Sequence, residues 1–143
     1  MTIDAPGAAA TEASGITPSG EITGVYRTAD GKFHGYILSK SGFQTIDGPG
    51  AVQTGSATGG LWMTASGELT GYYLPKGAPP GQFQGWLRLN DATFHTYSFP
   101  GSPDTCFFNI NERGDLVGRY VAGGVQHGLY IERFARQVPG PGQ

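Results

Sequence analysis

The sequence predicts an all-β fold, a β-propeller with three four-stranded blades per chain. Three observations predict it: one segment recurs three times at a fixed spacing, glycines at fixed offsets mark tight turns, and helical patterning is nearly absent. GITPSGEITGVY (15–26), WMTASGELTGYY (62–73) and NINERGDLVGRY (109–120) superpose, with Gly20, Gly67 and Gly114 each 47 residues apart. Gly24/Gly71/Gly118, Tyr26/Tyr73/Tyr120 and Thr11/Thr58/Thr105 keep that spacing, and Glu21, Glu68 and Asp115 fall in register. A second shared block follows each segment: FHGYIL (33–38), FQGWLRL (83–89) and QHGLYI (126–131).

Each repeat reads as four short strands. In the first, Glu12–Thr17 ends at a Pro18-Ser19-Gly20 turn, and Glu21–Arg27 places Ile22, Gly24 and Tyr26 on one face by the period-2 rule. A hairpin turn at Ala29-Asp30-Gly31 leads to Lys32–Ser39, and a Ser41-Gly42 turn leads to Phe43–Asp47. Four antiparallel strands in 40–50 residues make one propeller blade. The expected organisation is a propeller domain over 1–134, with blades at 11–50, 54–101 and 105–134, and a flexible tail over 135–143. Ile131–Val138 is the one stretch able to make a helical turn.

The third blade lacks a fourth strand. FQTIDGPGA (43–51) and FHTYSFPGS (94–102) supply it in the first two repeats, and its counterpart stands at the front of the chain as MTIDAPGA (1–8). Residues 1–7 are therefore expected to be a closing strand, which completes the last blade and removes a free edge. Propellers typically have 4–8 blades, so three are too few to close a ring: the chain is either an open three-bladed fragment or part of a ring closed by further copies, a nine-bladed trimer falling outside the usual range. The expected partner is a second copy of the chain, giving a six-bladed homodimer in which each N-terminal strand completes the other chain's third blade.

Composition bounds the function. Twenty-five glycines and 10 prolines accompany 7 Tyr, 8 Phe and 2 Trp, a turn-rich globule rather than a disordered chain. A net charge of −2 with scattered signs offers no face for nucleic acid. No apolar run is long enough for a membrane span, and the N-terminus lacks a signal-peptide pattern. The sequence as given fits a cytoplasmic location, or an extracellular one if a leader has been removed. A single cysteine excludes internal disulfides.

Blocks of the form GIN-x-x-G-x-I-V-G-x-Y, then H-G-F-L, then F-x-x-I-D-x-P-G-A-x-x-T resemble the bacterial propeller-type HAF repeats. The resemblance spans Thr2 to about Glu132 and is closest in NINERGDLVGRY with QHGLYI. The second repeat departs most, with WMTASG, Gln84 in place of the histidine, and lengthened loops at Gly55–Thr58 and Pro75–Gln82. It implies a propeller, often of extracellular proteins, and no particular activity.

Candidate site residues follow from the blade geometry. The first strand of each blade lies nearest the axis, where strict alternation puts Ala13/Gly15/Thr17, Gly60/Trp62/Thr64 and Phe107/Asn109/Asn111 on one face. Ser14/Ile16, Leu61/Met63 and Phe108/Ile110 fall on the other, as inter-blade core. Trp62 and Phe107 can stack on a sugar or aromatic ring while Asn109 and Asn111 hydrogen-bond it. Trp86, Tyr36 and Tyr72 are further stacking candidates. His34 and His127 occupy one repeat position and are candidate ligand contacts, but neighbouring blades hold them too far apart to share one metal ion. His95 is expected to face solvent. Cys106, with no neighbouring base or cation in the sequence, reads as buried and inert. No metal or cofactor motif is present: GxSxG, HExxH, P-loop and EF-hand patterns are all missing from the sequence. The expected function is ligand binding, with carbohydrate as the class. The alternatives are a small enzyme (lyase, isomerase or hydrolase) working in the propeller channel under the lengthened loops, and a protein-interaction scaffold.

Overall fold

The computed structural model describes residues 1–56 and 60–138. The chain is all-β, with three antiparallel sheets following one another in sequence. The first sheet is β1 (Ala10–Ile16), β2 (Ile22–Arg27), β3 (Phe33–Ser39) and β4 (Gly42–Ile46), paired in that order. The second holds β5 (Ala51–Thr54), β6 (Trp62–Met63), β7 (Leu69–Pro75), β8 (Gln84–Arg88) and β9 (Phe94–Tyr97); β5 and β6 both pair with β7. The third is β10 (Asp104–Ile110), β11 (Leu116–Ala122) and β12 (Val125–Ile131). One short helix, α1 (Phe134–Gln137), follows.

The repeated turns arise from one local device. Gly20, Gly67 and Gly114 have φ of 91°, 93° and 84°, the left-handed region that glycine enters without steric cost. Just before each turn, Thr17, Thr64 or Asn111 accepts a side-chain hydrogen bond from the backbone N–H of Glu21, Glu68 or Asp115. A second device links the sheets. The backbone N–H groups of Ala8, Ala51 and Ser102 donate to the carbonyls of Ala5, Gly48 and Phe99 across Pro-Gly turns. The hydroxyl oxygens of Thr11, Thr54 and Thr105 then accept from the N–H of those same Ala5, Gly48 and Phe99 residues. The N-terminal segment thus enters β1 by the connection that leads out of β4 and β9.

Three expectations are corrected here. Thr54 takes in the second repeat the turn role of Thr11 and Thr105, the role expected of Thr58, and the innermost strand is split into β5 and β6. Thr58 itself lies outside the described residues. The strict alternation along the innermost strands fails because Ser14 in β1 and Phe108 in β10 sit in β-bulges, where the register shifts. Phe107 is consequently buried, against Tyr97 and Phe134, rather than facing outward.

The third correction concerns the tail. Residues 135–138 are docked: Ala135 is buried and its N–H donates to the Gly114 carbonyl. Arg136 forks onto Glu68, Nη1 to Oε2 at 2.6 Å and Nη2 to Oε1 at 2.9 Å. Nη2 also donates to the Glu112 carbonyl. The remainder of the expected tail, 139–143, lies outside the described residues.

Two clusters form the core. Val25, Ile46, Leu61, Leu69, Tyr73 and Trp86 fill the join of the first and second sheets. Leu87, Phe107, Ile110, Leu116, Leu129 and Ala135 fill the join of the second and third. Among the described residues no helix is long and apolar enough to cross a membrane.

Candidate functional site

The bulges decide which innermost-strand residues face outward. Gly15 and Asn109 come directly after the bulges of β1 and β10, and Trp62 stands at the matching repeat position in the sheet between them. A Cβ on Gly15 would lie 3.6 Å from Trp62 Cδ1, so the indole leans across the glycine. The Phe108 ring meets Trp62 edge-on at 6.0 Å and Tyr72 at 5.9 Å, wedging the indole from the other side. Trp62 is half-buried and Asn109 exposed. Asn109 Oδ1 accepts the Ile110 N–H at 2.8 Å, which points the rest of the amide away from its own backbone.

The other candidates are placed differently. Trp86 and Phe107 are fully buried and Tyr72 nearly so, and Tyr36 is fully enclosed; none offers a ring face to a ligand. Tyr72 and Tyr36 are also committed by their hydroxyls, to Ser56 at 2.8 Å and the Glu12 carbonyl at 3.1 Å. These rings fill the spaces left by Gly24 and Gly71 and by packing between sheets, which a strand-face count cannot reveal. Asn111 is a turn residue: Oδ1 accepts from the N–H of Arg113 and Asp115, and Nδ2 donates to Asp115 Oδ2.

His34 stacks on Tyr26 at 5.3 Å, and its Nδ1 lies 3.0 Å from Asp47 Oδ2 at the end of β4. His127 stacks on Tyr120 at 4.9 Å and is exposed. His95, expected to face solvent, is half-buried, and its Nε2 has no hydrogen-bond partner among the described residues.

The repeated carboxylates are absorbed by the scaffold. Ser19 and Thr17 hydroxyls donate to Glu21, holding its carboxyl below the usual range. The Asn111 amide and the Arg133 N–H do the same for Asp115. Both stay ionised and hydrogen-bonded at neutral pH, suited to fixing turns rather than to proton transfer.

Cys106 is buried on β10, and burial pushes its thiol up to about 12. A disulfide-exchange reagent at about pH 8 is therefore expected to leave the native chain unlabelled and to label it rapidly in denaturant. Fast labelling of the folded protein would contradict this placement.

Comparison with known proteins returned no matching family model, no matching curated relative and no matching solved structure.

Proposed function

We propose that the three sheets are consecutive propeller blades, that two copies close a six-bladed ring, and that the ring is a glycan-binding module. The two open ends of the chain support the ring. On the first sheet, Thr23, Val25 and Gly35 are buried beneath the second sheet: Thr23 Oγ1 donates to the Leu61 carbonyl, and a Cβ on Gly35 would strike the Leu61 side chain. On the third sheet the positions matching Thr23, Gly35 and Ile37 (Val117, Gly128 and Tyr130) are exposed. Val117 is 47% and Tyr130 55% exposed, and no atom lies within 4 Å of a Cβ built on Gly128. At the other end, Ile16 on β1 is 74% exposed. A twofold partner covers both faces by the packing that already joins neighbouring sheets.

The observation that carries the glycan reading is the row of Gly15, Trp62 and Asn109 on the innermost strands. A half-exposed indole and an exposed amide at matching places on neighbouring sheets suit a sugar, whose C–H face stacks on the ring while its hydroxyls bond the amide. On a glycan array, Trp62→Ala is expected to weaken binding by about tenfold, the ~1.4 kcal/mol of one aromatic contact, with the fold unchanged by circular dichroism. Binding that survives Trp62→Ala at full strength, or a native protein that retains no glycan, would overturn the reading.

A further inference from the structure

We infer that Thr2-Ile3-Asp4 of one copy forms the missing fourth strand on β12 of the other. The exchange presupposes the two-chain ring proposed above. In the first sheet, β4 makes three specific contacts with β2 and β3. The hydroxyls of Thr45 and Tyr26 share a hydrogen bond of 2.8 Å; Asp47 pairs with His34 at 3.0 Å; and the Ile46 carbonyl lies over Gly35, 2.5 Å from where a Cβ would stand. Gly35 and Ile46 are register partners there.

The receiving half of this set is intact on the third sheet. Tyr120 pairs with His127 across β11 and β12 as Tyr26 pairs with His34 across β2 and β3, and Gly128 follows His127 as Gly35 follows His34. Each lacks its fourth-strand partner. The Tyr120 hydroxyl and the His127 ring nitrogens make no hydrogen bond among the described residues, and the space over Gly128 is empty. Among the described residues the outer edge of β12 pairs with no strand, and the chain turns at Arg133 (φ 50°) into α1 instead of folding back.

The donating half stands at the front of the chain. Thr2, Ile3 and Asp4 correspond to Thr45, Ile46 and Asp47, and Pro6-Gly7-Ala8 turns into β1 as Pro49-Gly50-Ala51 turns into β5. Thr2–Asp4 forms no ladder among the described residues of its own chain. The shared turn directs it to the position one sheet before β1, whereas β12 of the same chain lies two sheets after it. The β12 reached by that direction is therefore the partner's. Strand addition supplies backbone hydrogen bonds, and the two side-chain matches with the close approach over Gly128 fix the register. Asp4 meeting His127 repeats the contact that Asp47 makes with His34.

The test mixes full-length Asp4→Cys with full-length His127→Cys under mild oxidation, alongside each variant alone. Facing residues on paired strands lie within disulfide reach. The expected result is a covalent heterodimer of about 30 kDa, twice the 15.0 kDa chain, on a non-reducing gel. Light scattering on the native protein should give the same mass. A 30 kDa native mass without the cross-link would overturn the strand exchange and leave the ring standing. A 15 kDa native mass would overturn both. In the double variant Asp4→Cys/His127→Cys, a disulfide confined to one chain would show self-closure and also overturn the exchange.

Discussion

Truncating Trp86 to alanine is expected to lower the unfolding free energy by about 3–5 kcal/mol, among the largest losses a single side chain here can cause. The indole is fully buried, meets Phe94 at 5.4 Å, and fills the space over Gly71, where a Cβ would lie 2.8 Å from its Cζ2. Sheets on both flanks hold the surrounding side chains, so the cavity cannot collapse fully. Its Nε1 is buried with no hydrogen-bond partner among the described residues, so Trp86→Phe removes a desolvated N–H while keeping a ring. That variant is expected to cost under about 1.5 kcal/mol. Urea unfolding of both variants at one fixed protein concentration checks the pair, since association would shift apparent stability. Equal losses would show that the indole is not packed as described.

Gly118→Ala is expected to cost about 3 kcal/mol or more, through backbone overlap rather than lost contact. A Cβ there would overlap the Cys106 carbonyl oxygen and lie 2.9 Å from its carbon and 3.0 Å from Phe107 Cα. All three atoms are backbone of β10 at the bulge and cannot rotate aside. Gly24 meets the Glu12 carbonyl in the same way and Gly71 the Gly60 carbonyl, which is the physical basis of this glycine's recurrence at every repeat. The thermal midpoint of Gly118→Ala should fall on the order of 10 °C. A Gly118→Ala chain as stable as the native one would refute the close approach.

The sequence by itself determined the all-β class, the order of the repeats and most strands and turns; the split of the second sheet's innermost strand into β5 and β6 was not legible in it. Those strands and turns depend on local chemistry: a left-handed glycine after Thr17, Thr64 or Asn111, and apolar alternation over five to seven residues. It also exposed the repeat, from which the matching of Thr2-Ile3-Asp4 with Thr45-Ile46-Asp47 follows. It did not determine which innermost-strand residues face outward. The bulges at Ser14 and Phe108 reverse the alternation halfway along each strand, and no single residue type announces them. Phe107 and Trp86 were therefore open to reading as ligand platforms until their neighbours in other sheets were known, because burial belongs to the packing and not to the strand. Asn111 could have been read correctly, since it stands where Thr17 and Thr64 stand, immediately before the turn. Helix α1 lies within Ile131–Val138, the one stretch that the sequence allows a helical turn; what docks it was not legible, because it is held by Arg136 on Glu68, 68 positions away in the chain. Local rules fix where the chain turns; only the contacts between sheets decide which side chains remain available to a ligand or a second chain.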